Sequence, residues 1–309
     1  MKHPDESTAG GTFATDSPIA REIADLSARR RQIEQEVPPL PTKTRVFTIS
    51  NQKGGVGKTT TTVNIAAALA RSGARVLVID LDPQGNASTA LGIEHHGGVP
   101  SIYEVLVDGK PLREVIKKST EEGELYCAPS TIDLAGAEMA MVTAERREYL
   151  LRDAIEQFLK ETPEPFHYIF IDCPPSLGLL TLNAFASARE VLIPIQCEYY
   201  ALEGLSQLLS TIQRVNAMVN PALRVSTILL TMFDTRTRLA HEVAADVRQH
   251  FPNEVLNAVI PRAVRVSEAP SFGQTVVSYD HGSVGSISYI EAAYEIARRG
   301  VPSYAGGAQ

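Results

Sequence analysis

From Arg45 onward, short apolar runs alternate with stretches of helical periodicity. The runs are RVFTIS (45–50), RVLVID (75–80), ELYCAP (124–129), HYIFIDCP (167–174), EVLIPI (190–195), RVSTILLTMF (224–233) and EVLNAVIP (254–261). They are rich in β-branched residues and apolar on both faces, so each needs cover above and below. That is the condition of central strands in a parallel sheet sandwiched between helices. The intervening segments TTTVNIAAALARSG (60–73, with Gly73 as the expected C-cap), ALEGLSQLLSTIQRVNAMV (201–219), RLAHEVAADVRQHF (238–251) and SYIEAAYEIARRG (288–300) carry the helical spacing. The alternation predicts an α/β fold, a doubly wound and mostly parallel sheet with helices on both faces.

Residues 1–43 break the pattern. MKHPDESTAGGTFATDSP is small and polar, and VPPLPTK reads as a stiff extended linker. Between them Ile19, Ile23, Leu26, Ile33 and Val37 form an interrupted heptad-like stripe, too short for a stable coiled coil. Two readings stay open: a disordered or loosely docked arm, and a partner-binding helix. The organisation is therefore an arm and linker (1–43) ahead of one P-loop domain (44–309), with no internal repeat.

Composition narrows the chemistry. A net charge of −7 excludes a polycation, so any nucleic-acid contact rests on a local patch. Cys127, Cys173 and Cys197 have no CxxC spacing and no even pairing, as expected of reduced thiols in the cytoplasm. No apolar segment reaches the length of a membrane span, and no signal core is visible.

The string KGGVGKTT (53–60) follows a predicted strand and opens a predicted helix, which is the context that makes a P-loop. Gly54, Gly55 and Gly57, with Val56 between them, let backbone amides turn inward around phosphate oxygens. The helix N-terminus adds partial positive charge there. Lys58 is expected on the β- and γ-phosphates, the Thr59 hydroxyl on Mg²⁺, and Thr60 beside the nucleotide. Asp172 ends one apolar strand and fits a Walker-B carboxylate. Asp80 and Asp82 close another. We expect Asp80 and Asp172 at the metal, and Asp82 orienting the attacking water, because no glutamine or glutamate elsewhere suits that task. Each aspartate alone could merely cap a helix.

With Lys53 ahead of the glycines, the loop resembles the deviant Walker A box of the ParA/MinD/Soj ATPases. DLDPQGNAS (80–88), DCPPSLG (172–178), QCEYYALEGL (196–205) and IPRAVRVSEAPSFGQ (260–274) resemble its chromosomal ParA (Soj) branch. The likeness runs from about Val46 to the last helix and leaves the arm outside.

That resemblance implies an ATPase with ATP and Mg²⁺ as ligands, weak alone, that pairs as an ATP-dependent homodimer. Lys53 then serves the partner's nucleotide in trans, and Gly54 tolerates no side chain because the partner's loop comes close. Pro261 and Arg262 flank the adenine, with Met232, Phe233 and Asp234 on a neighbouring strand end. Glu198, Tyr199 and Glu203 belong to the dimer or nucleotide interface, although Tyr199 and Tyr200 equally suit half-buried aromatics.

It also implies non-specific double-stranded DNA binding, by the dimer only. The candidate residues are Arg236, Arg238 and Arg265, in a segment where five arginines face three acids, a net of +2. A ParB-type centromere-binding protein stimulates hydrolysis and release, and the protein is cytoplasmic and nucleoid-associated. The arm could dock on the dimer, add DNA contacts through Arg29, Arg30 and Arg31, or recruit a polar scaffold.

Two alternatives fit less well. A MinD-like membrane ATPase that positions division needs a basic amphipathic C-terminal helix, which glycine and proline break after Arg299. A redox protein like the nitrogenase iron protein needs a cysteine pair at an iron–sulfur cluster, and only Cys173 is near.

Overall fold

The computed structural model describes residues 17–199 and 201–300. The chain divides into two units, Met1–Glu36 and Val37–Gln309, so VPPLPTK counts with the second. In the first unit the described part is helix α1 (Pro18–Gln35). Ser17 caps it by accepting from the Ala20 amide at 3.1 Å, and Pro18 occupies the first turn, where no amide is needed. Arg30 pairs with Glu34 one turn later at 2.7 Å.

The second unit is built on β1 (Arg45–Ile49), β2 (Arg75–Asp80), β3 (Lys117–Lys118), β4 (Glu124–Ala128), β5 (Tyr168–Asp172), β6 (Glu190–Gln196), β7 (Arg224–Phe233) and β8 (Val255–Pro261). They form one sheet in the order β3-β4-β2-β5-β1-β6-β7-β8, parallel throughout except for β3 at the edge. The seven expected strands are all present. Strand β3 adds two lysines that carry no apolar pattern.

The helices are α2 (Lys58–Arg71), α3 (Asn86–Ala90), α4 (Ile102–Val107), α5 (Ala137–Ala140), α6 (Leu150–Glu161), α7 (Leu179–Ser187), α8 (Ala201–Met218), α9 (Arg238–His250), α10 (Val264–Glu268), α11 (Val276–Tyr279) and α12 (Val284–Arg299). Helix α2 lies against the sheet and α12, which explains why Thr61 to Ala70 are buried without a polar face. It ends at Ser72, and Gly73 follows at φ +96°, the left-handed turn that glycine adopts without strain. One apolar cluster joins Leu77, Ile79, Ile169 and Ile171 to Leu151 and Ile155 of α6. A second joins Ile193, Ile228 and Leu230 to Leu205 and Leu208 of α8 and to Val243 of α9.

Register levels the business end of the sheet. Ile49 lies opposite Asp172, and Asp172 opposite Asp80, so β1, β5 and β2 stop together. Strand β6 carries Pro194, which cannot donate to a ladder. Its pairing with β1 ends at Leu192, and the Asn51 carboxamide of the departing chain takes the Pro194 carbonyl at 2.8 Å. The missing donor therefore falls where no strand partner exists.

Candidate phosphate-binding site

Beyond Ile49 the chain turns through a loop held at three points before α2 begins. Asn51 donates to Pro194 and, through Oδ1, accepts the Lys53 amide at 3.0 Å. Thr231 Oγ1 donates to the Val56 carbonyl at 2.9 Å, tying the loop to β7. Gly55 and Gly57 adopt φ of +73° and +87°, which side chains rarely take. Asn51 and Thr231 escaped the motif reading, since neither belongs to the glycine string.

Lys58 is buried, with Nζ 3.4 Å from the Lys53 carbonyl. Burial lowers its pKa, and the neighbouring charges of Asp172 and Asp82 oppose that shift. Thr59 Oγ1 donates to Asp172 Oδ2 at 2.7 Å. Thr62 Oγ1 lies 2.9 Å from Asp172 Oδ1 and 3.0 Å from the Lys58 carbonyl, and its one proton serves one of them at a time. The P-loop and the Walker-B carboxylate are thus in direct contact.

Asp80 and Asp172 are both fully buried side by side. Burial raises both pKa values, and each carboxylate's proximity to other acids adds to the rise, while hydroxyls of Thr59, Thr62 and Ser88 resist it. Asp80 Oδ2 accepts from the Ser88 amide (2.9 Å) and hydroxyl (2.8 Å), and Oδ1 from the Asp82 amide (3.1 Å). The Asp80 oxygens thus hold α3 and the loop bearing Asp82, close beside Asp172. Asp82 is only partly buried and caps its own turn through Gln84.

A carboxyl whose pKa is raised by folding stabilises the fold below the ordinary carboxylate range and loses that contribution as pH rises through the folded value. Melting of the nucleotide-free, Mg²⁺-free protein should fall from about pH 4 to about pH 7, the interval between the ordinary carboxylate value and the raised values of Asp80 and Asp172. Asp172→Asn should recover a few degrees at the upper end, on the order of 1–3 kcal/mol. A flat profile in the unsubstituted protein would contradict the assignment.

The donor set suits Mg²⁺ brought in with phosphate oxygens: one hydroxyl from Thr59 and one carboxylate from Asp172, in a site short of positive charge. Among the described residues no group of three or more His, Cys, Asp or Glu could hold a metal ion unaided.

Beside the loop a cavity of about 180 Å³ is lined by Gly57, Thr60, Met232, Pro261 and Arg262, with Tyr289 behind. Its walls meet because the Arg262 amide donates to the Phe233 carbonyl at 3.2 Å. Met232 sits at φ +49°, an uncommon conformation for a residue with a side chain. Phe233 turns away to pack on His241, and Asp234 is engaged by Arg236. A larger cavity, about 790 Å³ between α7 and α8, shares no residue with the loop and is walled by Met139, Leu177, Leu182 and Val215. Its size does not outweigh the phosphate-binding geometry.

Lys53 is exposed, and its amine meets Glu198 at 2.6 Å outside the loop's own cradle. Gln196 also donates to Glu198. A methyl placed on Gly54 would meet nothing within 4 Å, so this chain alone does not forbid one. Tyr199 is 77% exposed, which excludes the half-buried reading, and Glu203 is exposed on the first turn of α8. Tyr200 lies outside the described residues.

All three candidate DNA cations are exposed and ion-paired. Arg236 grips Asp234 at 2.8 and 2.9 Å, and Arg238 meets Glu242 at 2.6 Å. Arg265 meets Glu268 at 3.0 Å and Asp280 at 3.5 Å. Such exposed pairs are weak and exchangeable.

The thiols are all buried. Cys173 contacts Thr48 at 3.0 Å, and burial pushes its pKa up to about 12, unlike a cluster ligand. No described helix is long and apolar enough to cross a membrane. Helix α12 ends at Arg299, and the residues after 300 lie outside the description.

A family model described as an AAA domain matches residues 44–225. The chain is 50% identical over 258 residues to a chromosome partitioning protein ParA of Myxococcus xanthus, covering 84% of this chain and 89% of that protein. It is 48% identical over 256 residues to the sporulation initiation inhibitor protein Soj of Bacillus subtilis, covering 83% and 99%. Among solved structures it is similar to cobyrinic acid a,c-diamide synthase of Mycobacterium smegmatis with a bound ATP analog and magnesium. That match has 38% identity and a TM-score of 0.69, covering 81% of this chain and 93% of that one. The septum site-determining protein MinD of Pyrococcus horikoshii, complexed with Mg-ADP, matches at 25% identity and a TM-score of 0.66, covering 82% and 96%. With its P-loop tied to Asp172 and its signature Lys53 free of its own cradle, the chain belongs to the ParA/Soj family of chromosome-partitioning ATPases.

Proposed function

We propose that this ATPase partitions DNA by letting nucleotide state control pairing, and pairing control the grip on DNA. The observation that carries the reading is the placement of two lysines. Lys58 is buried in the loop, whereas the Lys53 side chain projects from it and among the described residues is held only by a half-exposed carboxylate.

In this reading the amides of Gly54 to Thr60 and the Lys58 ammonium bind the phosphates, and Met232, Pro261 and Arg262 take the base. Thr59 and Asp172 would hold Mg²⁺, which when bound would supply positive charge against the phosphates. Asp82 orients the attacking water. Lys53 leaves Glu198 for the partner's nucleotide, and the second protomer doubles the arginines facing DNA. Nothing in the segment from Arg236 to Arg265 resembles a base-reading helix, so binding is to phosphates. For the arm, residues 1–43, recruitment of a polar scaffold stands beside docking on the dimer and added DNA contacts through Arg29, Arg30 and Arg31; a chain starting at residue 44 that keeps its position in the cell would remove the scaffold role.

The test is ATP hydrolysis with double-stranded DNA and a ParB N-terminal peptide added separately and together. Turnover should rise with the pair. Gly54→Val should bind ATP as before yet lose both dimer formation and stimulation, because the obstruction arises only across the pair. Loss of nucleotide binding in that variant, or no stimulation of the parent protein, would count against the scheme.

A further inference from the structure

At the amino ends of the strands, opposite the phosphate loop, lies a second concave site. A cavity of about 300 Å³ is bounded by Lys43, Arg45, Arg189, Glu190, Arg224 and Arg299, with Thr42 and Thr44 along the segment leading into β1. The register sets this up. Arg45 opens β1, Arg189 precedes β6 and Arg224 opens β7, while Glu190 lies opposite Arg224.

The cations divide into two kinds. Arg45 forms the floor: it grips Glu190 through two bonds of 2.8 Å and donates to the Ile296 carbonyl at 2.7 Å. Arg299 is likewise committed, to Glu295 at 2.8 Å and to the carbonyls of Asn253, Glu254 and Val255. Lys43, Arg189 and Arg224 are exposed, and among the described residues none has a side-chain hydrogen bond or ion pair.

The ordinary explanation for such cations is compensation of helix C-termini, whose free carbonyls gather at this end of a parallel sheet. Here those carbonyls have other partners. The two amide protons of Asn220 are shared among the carbonyls of Phe185 and Ala186 in the last turn of α7 and Ala188 just past it, and Arg45 takes Ile296 of α12. Three positive charges are thus left around a concavity with one buried carboxylate already neutralised.

We infer that this cavity binds a compact phosphate-class anion, of the size of a diphosphate or phosphate-monoester group. Duplex DNA is the less suitable occupant, because the charges converge on a hollow rather than tracking a convex stripe. The ten residues of β7 also separate it from Arg236 by roughly 30 Å. The guanidiniums supply forked donors and Lys43 a mobile one, the combination that suits tetrahedral oxyanions. The site is independent of the nucleotide-driven pairing proposed above.

The test uses the full chain saturated with Mg-ADP, so that the phosphate loop is filled, and titrates inorganic pyrophosphate by calorimetry. One saturable site is expected. Arg189→Ser/Arg224→Ser should weaken it at least tenfold, and Lys43→Ser roughly threefold, with ADP affinity unchanged. Lys43 lies outside every strand, so its variant decides the matter if the double variant loses ADP binding and hence its fold.

Vesicles with and without phosphatidic acid identify the source of the phosphate. Co-sedimentation that needs the three cations marks a lipid headgroup, and pyrophosphate binding without it marks a free anion. No saturable site, or a site that survives both variants, overturns the proposal. So does a double variant that loses DNA retention while keeping pyrophosphate.

Discussion

Asp82→Ala should leave ATP binding intact, slow hydrolysis by about 10²–10⁴-fold, and leave the protein trapped on DNA as an ATP dimer. The expectation rests on a division of labour among three aspartates at adjoining strand ends. Asp172 is tied to Thr59 and Thr62, and Asp80 to Ser88 and the Asp82 amide. Asp82 alone keeps carboxylate capacity toward the open side, with one oxygen on the Gln84 amide. Removing it should subtract water orientation without disturbing the cradle. Stopped-flow release from DNA in ATP, set beside single-turnover hydrolysis, reads both halves. Rapid dissociation with slow hydrolysis would show that Asp82 supports pairing instead.

Arg265→Glu should abolish DNA retention while sparing nucleotide binding. Each neutralised phosphate contributes roughly 0.9 to the log–log salt slope, so a dimer that loses two contacts loses about 1.8. The reversed charge would also stand beside Glu268 and Asp280, which now pair with the arginine, leaving three acids together. A drop of roughly tenfold or more at moderate salt is expected, with a shallower slope. Unchanged retention would remove Arg265 from the surface and return it to its role in linking α10 to the turn after α11.

The strands and the phosphate loop were legible because both rest on local chemistry. A strand apolar on two faces has one common environment, and a glycine string after it has one common use. Helices α6 and α7 were not picked out. LLTLNAFAS in α7 buries Thr181 and Asn183 alongside its apolar residues, so polarity does not mark an outer face and there is no stripe to detect. Asn51 and Thr231 were invisible for a different reason. Their partners, Pro194 and Val56, lie 143 and 175 residues away in sequence, and only the closed sheet brings them together. Asp80 shows a mixed case: its position at a strand end was readable, but its partner Ser88, in a five-residue helix, was not.

The contact between Lys53 and Glu198 has a further outcome for how the molecule responds to its medium. Both groups are about half in solvent, so dissolved ions weaken their attraction. The same ions loosen arginines from a phosphate backbone. In the proposed scheme ionic strength would push the two steps in opposite senses, loosening Lys53 from Glu198 for a neighbour whose enclosed phosphates are screened less, while easing the assembled pair off DNA. A switch built this way works best in a middle range of salinity, with failure at either extreme for unrelated reasons.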